Sequence, residues 1–179
     1  MSIEKEKLLK RTPVFEGKLL HIYADDVEIC GRRTWREVVV HPGACAIIPL
    51  TPDKEVIFVR QWRYAVGEAL LEIPAGKIDP GETPDACAAR ELTEETGCRA
   101  GRLAKLGAVY TTPGFCNETI HLYLADRLEP AEQHLDTDEF LDLVRIPLDR
   151  VRDMIARGEI HDAKTLAAFA IAGDSLKNL

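Results

Sequence analysis

Between residues 13 and 40 the apolar positions fall in short groups broken by turns: 18–23, 26–30, a turn at Gly31, then 35–40 in alternation. That pattern predicts an N-terminal β-meander. Residues 45–50 and 55–62 are apolar runs joined by Thr51-Pro52-Asp53-Lys54, a hairpin signal, and residues 70–73 form a short strand closed by Pro74. The first well-marked helix runs over 84–96. Thr83 suits its N-cap, Pro84 its first turn, and Gly97 a left-handed C-terminal stop. Residues 103–110 and 119–125 read as strands, the second apolar at Ile120, Leu122 and Leu124, with Thr111-Thr112-Pro113-Gly114-Phe115 in the loop between. Residues 129–138 read as a polar, acidic loop, 144–146 as a last strand, and 148–157 and 163–176 as helices separated near Gly158.

One central and two C-terminal helices, set among strands without a repeated βαβ unit, predict an α+β fold with a mixed sheet between helix layers. At 179 residues and 46% hydrophobic, the chain can bury a sizeable core as one domain without disulfides. A net charge of −7 with both signs interspersed provides no basic face for a nucleic-acid backbone. The five cysteines form no CxxC pair, which speaks against a zinc site, and three of them lie in apolar or helical stretches where they read as small core residues. The first residues lack the apolar stretch of a signal peptide, and no run approaches the roughly 20 apolar residues that span a bilayer. Together these features lead to the expectation of a cytoplasmic protein with no membrane and no nucleic-acid partner.

Along the 84–96 helix, successive residues turn by about 100°, which puts Glu91 and Glu95 within roughly 40° of each other and Glu94 about 60° from Glu91. These carboxylates repel one another, and Glu94 and Glu95 also sit at the negative end of the helix dipole. A divalent cation bound by oxygens would offset both penalties, and Mg²⁺, with Mn²⁺ as substitute, suits such ligands. An arbitrary acidic pair on a helix is most often a solvated face pairing with a neighbour such as Arg90. Here, however, Gly76, Glu82, Arg90, Glu91, Leu92, Glu94, Glu95, Gly97 and Cys98 fit G-x5-E-x7-R-E-U-x-E-E-x-G-U, where U is bulky and apolar and Cys98 is the soft match. This arrangement resembles the Nudix box, and the loop-then-helix context it requires is predicted independently.

The resemblance implies a Nudix-type α/β/α sandwich with an N-terminal antiparallel β extension over 1–41 and a hydrolase domain over 42–179. It assigns metal binding to Glu91, Glu94, Glu95 and the Ala75 carbonyl, with Glu94 also counted as catalytic. Gly76, Glu82, Arg90 and Gly97 take structural roles: Gly76 to turn the loop tightly, Glu82 and Arg90 to pair loop with helix. Residues 59–64, 71–76 and 112–115 look like the ADP-ribose pyrophosphatase branch, whose proline-glycine loop matches Pro113 and Gly114. That branch implies Trp35, Arg36, Arg63, Pro113 and Gly114 at the substrate, a small nucleoside diphosphate sugar, and a homodimer formed through the N-terminal strands. The general base falls on Glu139, with Asp138 and Glu132 as rivals. The expected reaction is Mg²⁺-dependent hydrolysis of ADP-ribose to AMP and ribose 5-phosphate. Alternatives are a pyrophosphatase acting on GDP-mannose, FAD or NADH, and a module that binds ADP-ribose without cleaving it. His41, His121, His134 and His161 are placed by no motif and receive no role.

Overall fold

The apolar run after Gly43 becomes β4 (Ala44–Pro49), buried along its whole length, and this strand sets the layering around it. The computed structural model describes residues 3–177 apart from Asp136 and Asp138. Strand alternation sends Cys45 and Ile47 to one face of β4 and Ala46 and Ile48 to the other. The first pair joins a cluster with Cys87, Ala88 and Leu92 of α1 (Pro84–Thr96) and Tyr123 of β9 (Thr119–Pro130). The second pair packs with Phe58 of β5 (Glu55–Arg63), Val151 of α2 (Leu148–Ala156), and Phe169 and Ala172 of α3 (Ala163–Lys177). A strand covered by helices on both sides reads as a continuous apolar run, and that is why its sequence does not alternate.

The chain divides into two units, Ala44–Val109 with Ile120–Leu179, and Met1–Gly43 with Tyr110–Thr119. The first holds a sheet of order β7-β4-β9-β8, with β7 at Ala75–Lys77 and β8 at Cys98–Tyr110, and a second sheet of order β10-β5-β6, with β6 at Glu68–Glu72 and β10 at Leu141–Pro147. β4 runs parallel to β9 and antiparallel to β7, so the first sheet is mixed, as the sequence predicts. Phe58 and Phe169 stack with ring centroids 6.2 Å apart, tying the second sheet to α3.

The second unit contains the sheet β1-β2-β3, at Lys7–Glu16, His21–Ile29 and Arg32–Val40. The sequence predicts neither β1 nor a continuous β2. All ten residues of β1 are exposed, so no buried face imposes an alternation that could mark it. Its pairing with β2 shifts register between Leu8 and Lys10 and between Pro13 and Phe15, and Pro13 is tolerated because β1 is an edge strand. Asp25, 4% exposed, accepts both Nε (2.9 Å) and Nη2 (2.6 Å) of Arg11, whose guanidinium also lies 4.6 Å from the centroid of the Tyr23 ring. β7 is likewise absent from the sequence reading, while β8, β9 and β10 extend beyond their predicted limits. No helix among the described residues is long and apolar enough to cross a membrane.

Candidate active site

The helix carrying the acidic cluster starts and stops where its sequence dictates. Thr83 Oγ1 accepts the Ala86 N–H (3.3 Å), Pro84 follows it, and Gly97 closes the helix at φ 65° with its N–H on Thr93 O. Tyr123, 1% exposed, donates its hydroxyl to Asp85 (2.6 Å) in the first turn, fixing the helix start to β9. The other end is capped by a segment that reads in sequence only as a polar loop. Ala131 N–H donates to Gly97 O (2.7 Å), His134 N–H to Glu94 O (3.1 Å), and the Gln133 side chain to Glu95 O (2.5 Å). Three carbonyls left over at the helix terminus are thereby satisfied.

Arg90 joins loop to helix. Its Nε and Nη2 form a fork on Glu82 (2.9 Å each), Nη2 reaches Lys77 O (3.0 Å), and Nη1 donates to Glu91 (2.6 Å) and Glu94 (2.9 Å). The Arg90 guanidinium brings the Glu82 carboxyl down to about 2, so Glu82 is ionised throughout the working pH range. The expected loop-to-helix pairing is therefore present, and it extends to two of the predicted metal ligands.

Gly76 is required for a reason other than the one its sequence position implies. It lies in β7, paired with Cys45, and is not among the glycines with positive φ, so it makes no tight turn. A Cβ at this position would stand 2.0 Å from both Cδ and Oε1 of Glu91. The missing side chain is what lets the strand lie against that carboxylate.

Glu91 and Glu95 are 8% and 2% exposed. Burial pushes Glu91 up to about 7, against the opposing pull of Arg90 and with a further push from Glu94 and Glu139. Burial, then the Glu91 charge, pushes Glu95 up to about 8, opposed by the Ala75 N–H that donates to it (3.1 Å). The influence of Glu139 on both groups puts its carboxylate within Coulombic reach of the cluster. Glu139, Phe140 and Asp142 also line a cleft of about 510 Å³ with Arg60, Gln61 and Trp62. Glu94 is more exposed, at 37% of its side chain.

Among the described residues, no group of three or more His, Cys, Asp or Glu side chains is drawn together tightly enough to hold a metal ion as it stands. Arg90 engages Glu91 and Glu94 in that arrangement. The donor chemistry nevertheless fits a hard dication. Two adjacent buried carboxylates, each held toward its protonated form, are stabilised as anions by a bound positive charge.

The remaining predicted residues are distributed as follows. Arg63, on β5, has its fork on Glu72, Nε at 2.7 Å and Nη2 at 2.6 Å. Arg36 donates to Glu6 (3.1 and 2.5 Å) and to Trp35 O (2.8 Å), while Trp35 is 63% exposed. Both belong to the unit built on β1-β2-β3, as do Pro113 and Gly114. Glu132 is exposed and lies 3.6 Å from His134, and Asp138 falls outside the described residues. Asp162, Lys164 and Thr165 receive no role in the sequence reading, and Glu72 enters it only as part of the 71–76 resemblance. Asp162-Ala163-Lys164-Thr165 reads as an ordinary helix start, and its partners lie about ninety residues away in the chain.

Residues 40–169 match the model of the NUDIX domain. A protein named ADP-ribose pyrophosphatase from Bacillus subtilis (strain 168) is 40% identical over 176 residues, covering 97% of this chain and 94% of the relative. A protein named methanol dehydrogenase activator from Bacillus methanolicus is 41% identical over 167 residues, covering 92% and 90%. The crystal structure of an ADP compounds hydrolase superposes with a TM-score of 0.88 at 27% identity, covering 99% of this chain and 97% of that one. The matched span takes in the whole glycine-to-cysteine motif on its capped helix, and the chain belongs to the Nudix family.

Proposed function

We infer that the protein hydrolyses the diphosphate of ADP-ribose, releasing AMP and ribose 5-phosphate in a Mg²⁺-dependent reaction that Mn²⁺ also supports. The observation that carries this reading is the buried pair Glu91 and Glu95, raised to about 7 and about 8 beside Gly76 and within reach of Glu139. The substrate is supported by the relative named ADP-ribose pyrophosphatase, which aligns over nearly the full length of both chains.

Glu91, Glu94, Glu95 and the Ala75 carbonyl would hold the metal. Bound there, a dication would neutralise charge on the diphosphate and lower the pKa of the attacking water. Arg90 and Glu82 keep the helix and the preceding loop in register, so that the carboxylates present one face. Glu139 is the proposed base. It takes the proton of the attacking water as the water oxygen adds to phosphorus and the bridging P–O bond breaks. The bridging oxygen leaves on the other product and takes up a proton. Trp35, Arg36, Arg63, Pro113 and Gly114 are the proposed substrate contacts; for Arg63 this needs its remaining Nη1 donors, since Nε and Nη2 are held by Glu72.

A homodimer formed through residues 1–41 belongs to the same reading. Its support is β1, which exposes Leu8, Val14 and Phe15 (51%, 65% and 55%) along an unpaired strand edge, a surface that calls for a cover. A cytoplasmic setting is supported by five free cysteines, two of them buried side by side. The reading is tested by comparing kcat/KM with Mg²⁺ for ADP-ribose, GDP-mannose, FAD and NADH, with light scattering for the dimer. Preference for another substrate overturns the ADP-ribose assignment, and binding without any product release favours a non-catalytic module.

A further inference from the structure

The start of α3 is bonded to the segment that backs the acidic cluster. Asp162 caps the helix, its Oδ2 accepting the Thr165 N–H (3.0 Å) and the Thr165 hydroxyl (2.6 Å). Thr165 is fully buried, and its Oγ1 in turn accepts the Ile73 N–H (3.0 Å). Lys164, with only 11% of its side chain exposed, donates to Asp162 (3.0 Å) and to Glu72. Glu72 is 1% exposed and also takes the Arg63 fork. Burial alone would raise Glu72, but the Arg63 and Lys164 bonds outweigh it and hold the carboxyl below its usual range.

Glu72 and Ile73 lead directly into Pro74, Ala75 and Gly76. Ala75 N–H donates to Glu95, and Gly76 leaves room for Glu91. An unbroken path of short polar contacts therefore runs from Asp162 through Thr165 to Ile73, and two residues later to the Glu95 carboxylate. We propose that Asp162, Lys164 and Thr165 are positioning residues for the metal-binding carboxylates, acting through the 72–76 segment rather than by touching metal or substrate. Pro74 supports this function, because its fixed φ transmits the placement of Ile73 to Ala75 with little slack.

The proposal rests on the carboxylates being metal ligands, and its test is chosen to separate the two. Thr165→Val keeps the shape but removes the acceptor for Ile73 N–H, whereas Thr165→Ser keeps the acceptor and loses only the methyl group. Mn²⁺ affinity is measured by calorimetry on the full-length protein, and Ala75 N–H exchange is followed by NMR in EDTA. Removing an outer partner of a metal site costs on the order of ten- to a hundredfold in affinity. Thr165→Val is expected to weaken Mn²⁺ binding at least tenfold and to speed Ala75 exchange with a native circular dichroism spectrum, while Thr165→Ser stays within twofold of wild type. A folded Thr165→Val protein with wild-type Mn²⁺ affinity and unchanged Ala75 exchange would overturn it. If Thr165→Val does not fold, Asp162→Asn carries the same comparison, and wild-type affinity in that variant also overturns the proposal. Wild-type protein that binds no Mn²⁺ would instead sink the metal-ligand reading, leaving the Ala75 exchange to judge the path.

Discussion

Gly76→Ala adds a single methyl group, and the structure says where it must go. The new Cβ would stand 2.0 Å from the Glu91 carboxyl carbon and 2.3 Å from its farther oxygen. Ordinary contact between such atoms needs about 3.5 Å, so the carboxylate has to withdraw by roughly 1.5 Å. The displaced atoms are the end of a side chain rather than backbone. The stability change therefore stays at the low end of the about 1–3 kcal/mol typical of overpacking, a lowering of Tm by a few degrees in a chain of this size. Withdrawal also relieves Glu91 of part of the burial that raises it to about 7, which reduces the loss further. Turnover has no such relief, because an ångström of misplacement in a reacting assembly costs about a hundredfold. The assay is AMP release at saturating ADP-ribose and Mg²⁺, with thermal melts in EDTA alongside. A Gly76→Ala protein that melts within a few degrees of wild type and turns over about a hundredfold slower fits the account. Turnover within twofold of wild type refutes the placement of Glu91 as a ligand.

Two further outcomes follow from the ion pairs. Glu72→Gln leaves Arg63 and the nearly buried Lys164 without their shared carboxylate, and breaking one side of a buried pair typically costs about 3–5 kcal/mol. Urea denaturation should show a midpoint shift in that direction at unchanged m-value, and a shift under about 1 kcal/mol would mean that the network is not stabilising. Asp25 is held below its ordinary carboxylate range by the Arg11 hydrogen bonds. The unfolded state therefore binds more protons in the window just below the ordinary value of about 3.9, and the stability from this pair, complete above that value, is lost as pH falls through the depressed one. Asp25→Asn should flatten the acid limb of a pH–stability curve, and an unaltered limb would contradict the pairing.

Much of the fold around the candidate site is legible in the sequence because local signals and burial agree there. Thr83, Pro84 and Gly97 mark the helix ends, and all three act as read. The Thr51–Lys54 turn forms, but not as a hairpin: β4 and β5 enter different sheets and meet only at the Leu50–Val56 bridge, and the second apolar run is buried over Val56–Val59 while Trp62 is exposed. The sequence fails where a residue's reason lies in a distant partner. Gly76 reads as a turn glycine, but its reason is the Glu91 carboxylate fifteen positions on. Thr165 reads as a helix residue, although its hydroxyl serves Ile73, 92 positions earlier in the chain. β1 escapes because a strand exposed on both faces carries no binary pattern.

If the buried glutamates of α1 hold the metal for diphosphate hydrolysis, the loss of one of them must show in turnover. Glu95→Gln removes the most buried of these charges while keeping size and the capacity to accept from Ala75 N–H. The decisive measurement is Mg²⁺-dependent AMP release from ADP-ribose by the wild type and this variant side by side. Expected are AMP and ribose 5-phosphate in equal amounts from the wild type, and a kcat lower by about a hundredfold or more in a normally folded variant. Equal turnover by the two proteins, or no AMP from the wild type with Mg²⁺ or Mn²⁺ present, would contradict this reading.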